Sequence, residues 1–130
     1  MKKIIFPIIL PIILLISCSQ TNYMKKTDFL PVTLESMTDT VKVGQPLSIS
    51  LRAEAPSGCW KNLRHYMSQS TDNHILFVAK GDFESTGDCS DNIVQKDSTF
   101  NFTLPKAGKY YIQLNQSPNP VTNDSIQIIN

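Results

Sequence analysis

Hydrophobic and polar residues alternate in four separate stretches of the chain. Leu47, Ile49, Leu51 and Ala53 are spaced by Ser48, Ser50 and Arg52. Phe100, Phe102 and Leu104 are spaced by Asn101 and Thr103, and Tyr110, Ile112 and Leu114 by Tyr111 and Gln113. Ile126 and Ile128 follow Ser125 and Gln127 in the same rhythm. A period of two predicts strands with one face buried. Ile75 to Lys80 reads as a shorter, more apolar strand. Turn chemistry separates these runs at Gly44-Gln45-Pro46, Pro56-Ser57-Gly58, Lys106-Ala107-Gly108 and Ser117-Pro118-Asn119-Pro120. Only Lys61 to Ser68 is ambiguous: Leu63 and Met67 stand four apart, with room for two helical turns at most. Seven to eight short strands in residues 31–130 predict an all-β chain folded as one β-sandwich.

The first thirty residues carry a different pattern. Lys2 and Lys3 precede an uncharged run, Ile4 to Ile16, which contains Pro7 and Pro11 and ends at Ser17-Cys18. A charged start, a short apolar run and a small residue form the layout of a secretory signal peptide. A spanning helix needs roughly 18 or more apolar residues, so the run is too short to cross a membrane. Ser19 to Leu30 is polar and reads as a tether. The predicted organisation is a signal peptide over 1–17, a tether over 18–30 and the sandwich over 31–130.

Leu15-Ile16-Ser17-Cys18 resembles the lipobox of bacterial lipoproteins. The resemblance implies cleavage before Cys18, a lipid on its thiol and residence in the bacterial cell envelope. Ser19, in place of an aspartate, leans toward the outer membrane in that family. With Cys18 lipidated, Cys59 and Cys89 are left as an even pair in an oxidising compartment, which predicts one disulfide. Loss of Lys2 and Lys3 leaves ten basic residues against eleven acidic ones. That balance gives no basic stripe for nucleic acid and no charge attraction to an anionic membrane, so the lipid is the expected membrane contact.

Two segments resemble immunoglobulin-like domains. Asp39-Thr40-Val41-Lys42-Val43-Gly44-Gln45-Pro46-Leu47 looks like their entry into strand B. Leu104-Pro105-Lys106-Ala107-Gly108-Lys109-Tyr110-Tyr111 looks like their E–F corner, with Gly108 at the turn and the Tyr110 hydroxyl bonding back to the corner backbone. The resemblance places Cys59 at the start of strand C and Cys89 in a later loop, so the bond staples a loop or edge. Trp60 is read as an inward core anchor, with a surface binding role as the alternative.

Chemistry-bearing patterns are sparse. Asp82, Glu84, Asp88 and Asp91 crowd one stretch, where solvated loop charges are the plainer reading and a calcium loop the alternative. No hydrolase elbow, metalloprotease helix or phosphate loop is present, and no cofactor is expected. His65 and His74 are the only histidines available to a dispersed catalytic site. Chagasin-like protease inhibitors carry an Asn-Pro-Thr-Thr-Gly motif between strands B and C. Here that place holds Ala55-Pro56-Ser57-Gly58, and Asn119-Pro120-Val121-Thr122 lies in the last loop. The leading expectation is a lipid-anchored, non-catalytic binding or accessory module that meets an envelope protein through end loops, with Trp60, Pro118 and Pro120 central. A protease inhibitor and an enzyme with a dispersed site are the alternatives.

Overall fold

The computed structural model describes residues 22–70, 72–116 and 119–130, with side chains left aside at 116 and 119–123. Among the described residues there is no helix. Nine strands run in chain order: β1 (Met24–Leu30), β2 (Val32–Met37), β3 (Thr40–Lys42), β4 (Pro46–Ala55), β5 (Trp60–Gln69), β6 (His74–Ser85), β7 (Val94–Thr103), β8 (Gly108–Gln116) and β9 (Asn119–Ile129). They form two sheets. The smaller has the order β2-β4-β7, and the larger runs β5-β6-β8-β9-β3 with β1 also on β6.

The alternation seen in the sequence sets the core. Leu47, Ile49, Leu51, Ala53 and Ala55 of β4 point inward and are fully buried. Opposite them lie Ile75, Phe77 and Ala79 of β6, Ile112 and Leu114 of β8, and Ile126 and Ile128 of β9. Phe77 packs a tilted ring against Phe100 across the sandwich, centroids 5.2 Å apart. The intervening positions meet on the outer faces, where Arg52 of β4 forms a forked ion pair with Asp97 of β7.

β6 is the hub of the larger sheet. One edge pairs with β5 from Ile75 to Phe83. The other is shared: β8 runs parallel to His74–Phe77, and β1 runs antiparallel to Ala79–Ser85. Two pairs are parallel, β3–β9 and β6–β8; the second, inside the larger sheet, departs from the antiparallel ladders that the immunoglobulin resemblance implies. It arises because β5 occupies the sheet edge and β6 returns inside it, beside β8.

Two stretches differ from their sequence reading. Met24–Leu30, assigned to the tether, is a strand with seven residues paired to β6, and Leu30 at its end is buried. Pro31 then passes the chain to β2 in the other sheet. Lys61 to Ser68, the ambiguous piece, is strand throughout.

At the β7–β8 corner Gly108 holds a φ of 142°, a conformation that side chains other than glycine's rarely adopt. The buried Tyr110 ring turns its hydroxyl back to donate to the Lys106 carbonyl, 3.3 Å away. A Tyr110→Phe variant removes that donor and is expected to lose about 1 kcal/mol of unfolding free energy, measured by urea titration.

Candidate functional site

The most developed recess lies where the two sheets are unequal. β4 ends at Ala55, which pairs with Val94, the first residue of β7. The inner face of the larger sheet continues past that point with Gly81 and Phe83 of β6 and Trp60 of β5, which pairs with Phe83. Trp60 brings this end of the sheet to a cleft of about 670 Å³. Leu30, Ala55, Pro56 and Trp60 supply apolar lining, and Phe29 and Ile93 lie at its mouth, 42% and 63% exposed. Asp28, Glu54 and Asp91, from three different elements, complete the lining, with the Glu54 carboxylate turned to Gln95 on the outer face.

Gly81 is what lets the wall lie flat. A β-carbon there would stand 2.7 Å from Leu30 Cδ1 and 3.0 Å from Trp60 Cε3. The first is closer than real Cβ atoms come and the second is tight, so any side chain larger than glycine's at this position would push the Leu30 side chain or the Trp60 ring aside. Trp60, the chain's single tryptophan, is half-buried against the core. Its ring meets Phe83 edge-on, centroids 5.4 Å apart. It is therefore an inward anchor that also faces the cleft, and the two sequence readings of Trp60 describe one residue.

A cation already stands beside this aromatic pair. Lys26 Nζ lies 5.8 Å from the Trp60 ring centre and 5.9 Å from that of Phe83. Asp28 Oδ2 is 3.3 Å away. The Asp28 carboxyl is held below the usual carboxylate range, first by the Phe29 backbone N–H and then by Lys26. Glu54 accepts a bond of 2.6 Å from the Gln95 amide and lies within electrostatic reach of Arg52.

The far wall is pinned. Cys59, just before β5, is bonded to Cys89 in the β6–β7 loop, as cysteine arithmetic predicted. The Gly58 N–H donates to the Ser90 carbonyl at 2.9 Å, and the Glu84 N–H to the Cys59 carbonyl at 3.0 Å. The Pro56-Ser57-Gly58 connection is thus a tied turn. Of the other residues placed at this end by sequence, Pro118 lies outside the described residues, as does Cys18, the lipidation candidate. Pro120 is described by its backbone, paired to Asn115.

The four acids read as one loop are separated by the fold. Asp82 and Glu84 are on β6 and point to the outer face of the larger sheet. Asp82 accepts two bonds of 2.9 Å from Arg64, with Thr27 and Asn62 also donating to it. Those donors, Arg64 foremost, hold its carboxyl far below the ordinary range. Glu84 accepts from the Tyr23 hydroxyl at 2.7 Å and pairs with Lys61. Asp88 and Asp91 lie beyond in the loop. Among the described residues no group of three or more His, Cys, Asp or Glu converges to hold a metal. Asp82 and Glu84 spend their oxygens on fixed donors, so the calcium-loop reading does not survive the fold.

The histidines are also apart. His74 begins β6 and stacks on Tyr111, centroids 5.1 Å apart. It lines a smaller, more polar hollow of about 300 Å³ with Ser68, Ser70 and Asp72. There the Ser70 hydroxyl accepts the Asp72 N–H and the Ser70 N–H donates to the His74 carbonyl at 2.8 Å, both local turn bonds that leave the imidazole uninvolved. His65 of β5 turns inward opposite Ala79, and both its ring nitrogens are buried without a partner. Burial, reinforced by Lys96 and opposed by Asp97, pushes its pKa below the ordinary value. A depressed histidine pKa means that the unfolded chain binds more protons, so stability is lost as pH falls through the unfolded value of about 6.5. The melting temperature is expected to drop between pH 7.5 and 5.5 (about the range above carboxylate titration), and His65→Leu is expected to flatten that slope.

Sequence reasoning missed Lys26, Asp28, Leu30, Glu54 and Ile93 as members of one site. The available signal was Phe29-Leu30-Pro31, since a residue before proline is biased to extended backbone. Comparison with protein-family models, with curated proteins and with solved structures finds no match.

Proposed function

We propose that this protein is an exported, lipid-anchored, non-catalytic binding module of the bacterial envelope, with the Trp60 cleft as its working surface. The observation that carries the reading is the cleft itself. It is an apolar recess of about 670 Å³, with an aromatic wall held in shape by Gly81 and a far wall tied by a disulfide. A recess of that size and lining, with a few placed polar groups, is the usual form of a binding site. The Cys59–Cys89 bond supports the exported address, because such bonds persist in oxidising compartments. It also leaves Cys18 as the unpaired cysteine, in the position where the lipobox resemblance puts the lipid.

Two experiments test this reading. Mass spectrometry of the membrane fraction is expected to find Cys18 as an acylated amino terminus, and Cys18→Ala to release or leave unprocessed the chain; an unmodified Cys18 in the membrane removes the anchor. A photo-crosslinking residue at position 93, at the cleft mouth, is expected to trap an envelope protein in intact cells. The same residue at position 111, on the outer face, is not. Equal trapping at both positions, or none, removes the cleft as the working surface.

A further inference from the structure

We infer that the disulfide-tied end of the sandwich lies against the bilayer that holds the lipid, with Tyr23, Met24 and Ile93 at the lipid surface as a second membrane contact. The inference rests on the lipid-anchored reading and names the face which that anchor brings to the membrane. Three observations carry it.

The first is where the exposed apolar side chains stand. Among the described residues nine large hydrophobic side chains are exposed, and the three most exposed are Ile93 at 63%, Tyr23 at 56% and Met24 at 55%. All three are at one end. Met24 begins β1 opposite Ser85, the last residue of β6, and Tyr23 precedes it. Ile93 precedes Val94, which begins β7 opposite Ala55, the last residue of β4. Phe29, Tyr66 and Met67 lie beside the middle of β6, and Val43, Tyr111 and Ile129 lie at the opposite end; none of these six exceeds 45%.

The second is reach. Met24 comes six residues after Cys18, so even a fully extended chain puts the start of β1 no more than about 22 Å from a lipid on that thiol. β6 runs from this end to the other over His74–Ser85, roughly 36 Å of strand. The anchor therefore holds this end near the membrane and leaves the other free.

The third is the character of the end. The Tyr23 hydroxyl donates to Glu84 at 2.7 Å, and an exposed ring with a satisfied polar tip suits the boundary between water and lipid. Ile93 is displayed by a tied loop, in which Cys89 is bonded to Cys59 and the Ser90 carbonyl accepts the Gly58 N–H. Lys25, Lys26 and Lys61 are met at this end by Asp28, Glu84, Asp88 and Asp91. No excess of positive charge remains to attract an anionic surface, so the contact is apolar and a neutral lipid surface fits it. Ile93 stands at the cleft mouth as well, so the envelope protein expected at position 93 is one that meets the cleft at the membrane.

The full lipidated chain, disulfide intact, is reconstituted into phosphatidylcholine vesicles containing a lipid with a nitroxide just below its headgroup. Flotation reports the anchor. A fluorophore attached through Ile93→Cys is expected to lose about half its emission or more to the nitroxide, and one attached through Thr103→Cys about a tenth or less, since an interfacial contact enters only the headgroup boundary. Thr103 is exposed and ends β7 at the opposite end. Trp60, the single tryptophan, begins β5 at the tied end and gives a label-free reading of the same quenching. The Met24→Asp, Ile93→Asp double variant alters exposed side chains only, and is expected to keep flotation and melting temperature while Trp60 quenching falls about twofold or more. A chain that floats with equal quenching at positions 93 and 103, or whose Trp60 quenching survives the double variant, overturns the inference while the anchor stands. A chain that does not float removes the anchor and the inference with it. The comparison of positions 93 and 103 holds without the double variant, so a folding defect there leaves the test intact.

Discussion

Replacement of both Cys59 and Cys89 by alanine is expected to cost about 3–4 kcal/mol of unfolding free energy and on the order of 10 °C in melting temperature. The bond joins residues 30 apart in the chain, and closing a loop of that length removes that much freedom from the unfolded state. The loss should be local before it is global. The loop carrying Asp91 and Ile93 reaches the cleft through this bond and the Gly58–Ser90 hydrogen bond, so the variant should lose amide protection around residues 86–93 first. Hydrogen exchange measures both effects. A variant with unchanged melting temperature and unchanged protection in that loop would show the staple to be idle.

Phe77→Ala is expected to be about as damaging, at 3–5 kcal/mol. Phe77 is completely buried and joins β6, the hub of the larger sheet, to Phe100 of the smaller one. Truncation leaves a cavity between two β-layers that cannot close without moving strands on both sides. Phe83→Ala makes the informative comparison, because Phe83 lies on the same face of the same strand but past the end of the smaller sheet. It should cost clearly less in urea titration and alter Trp60 emission more. Equal losses from the two would mean that the uncovered end is packed as tightly as the centre.

The fold class was legible in β4, β8 and the end of β9 because their inward positions are buried, and burial of one face is what forces a period of two; β7 adds the half-buried Phe100 and Phe102, packed against the core. The disulfide was legible from the number of cysteines once the lipobox resemblance set Cys18 aside. β1 was not, and its residues show why. Its inward positions include Lys26 and Asp28, which face the uncovered end of the sheet instead of the core, so no apolar alternation was imposed. β5 was obscured by a bulge. Its pairing with β6 slips between Lys61 and Arg64, where Asn62 takes a φ of 51°. The slip places inward-facing Trp60 and Leu63 three apart, a helical spacing within a strand. The site was less legible than the fold. It is made by contacts between residues remote in sequence, such as Lys26 with Trp60 and Leu30 with Gly81, and no periodicity encodes those. The parallel pairing of β6 and β8 was likewise beyond local pattern, since it depends on which of two consecutive strands takes the sheet edge.

The position of β1 has a mechanical consequence. Whatever pulls on the chain ahead of residue 24 pulls first on a strand held to β6 by one row of seven residue pairs, from Met24–Ser85 to Leu30–Ala79. Under load applied along the strand those pairs resist together; under load applied across it they unzip in succession. In either case the first piece to leave the body carries Asp28, Phe29 and Leu30, which line one side of the cleft. Tension and occupancy then oppose each other: a segment lodged between β1 and the stapled loop adds to the force needed to strip the strand, and stretching the amino end empties the recess before the sandwich behind it yields.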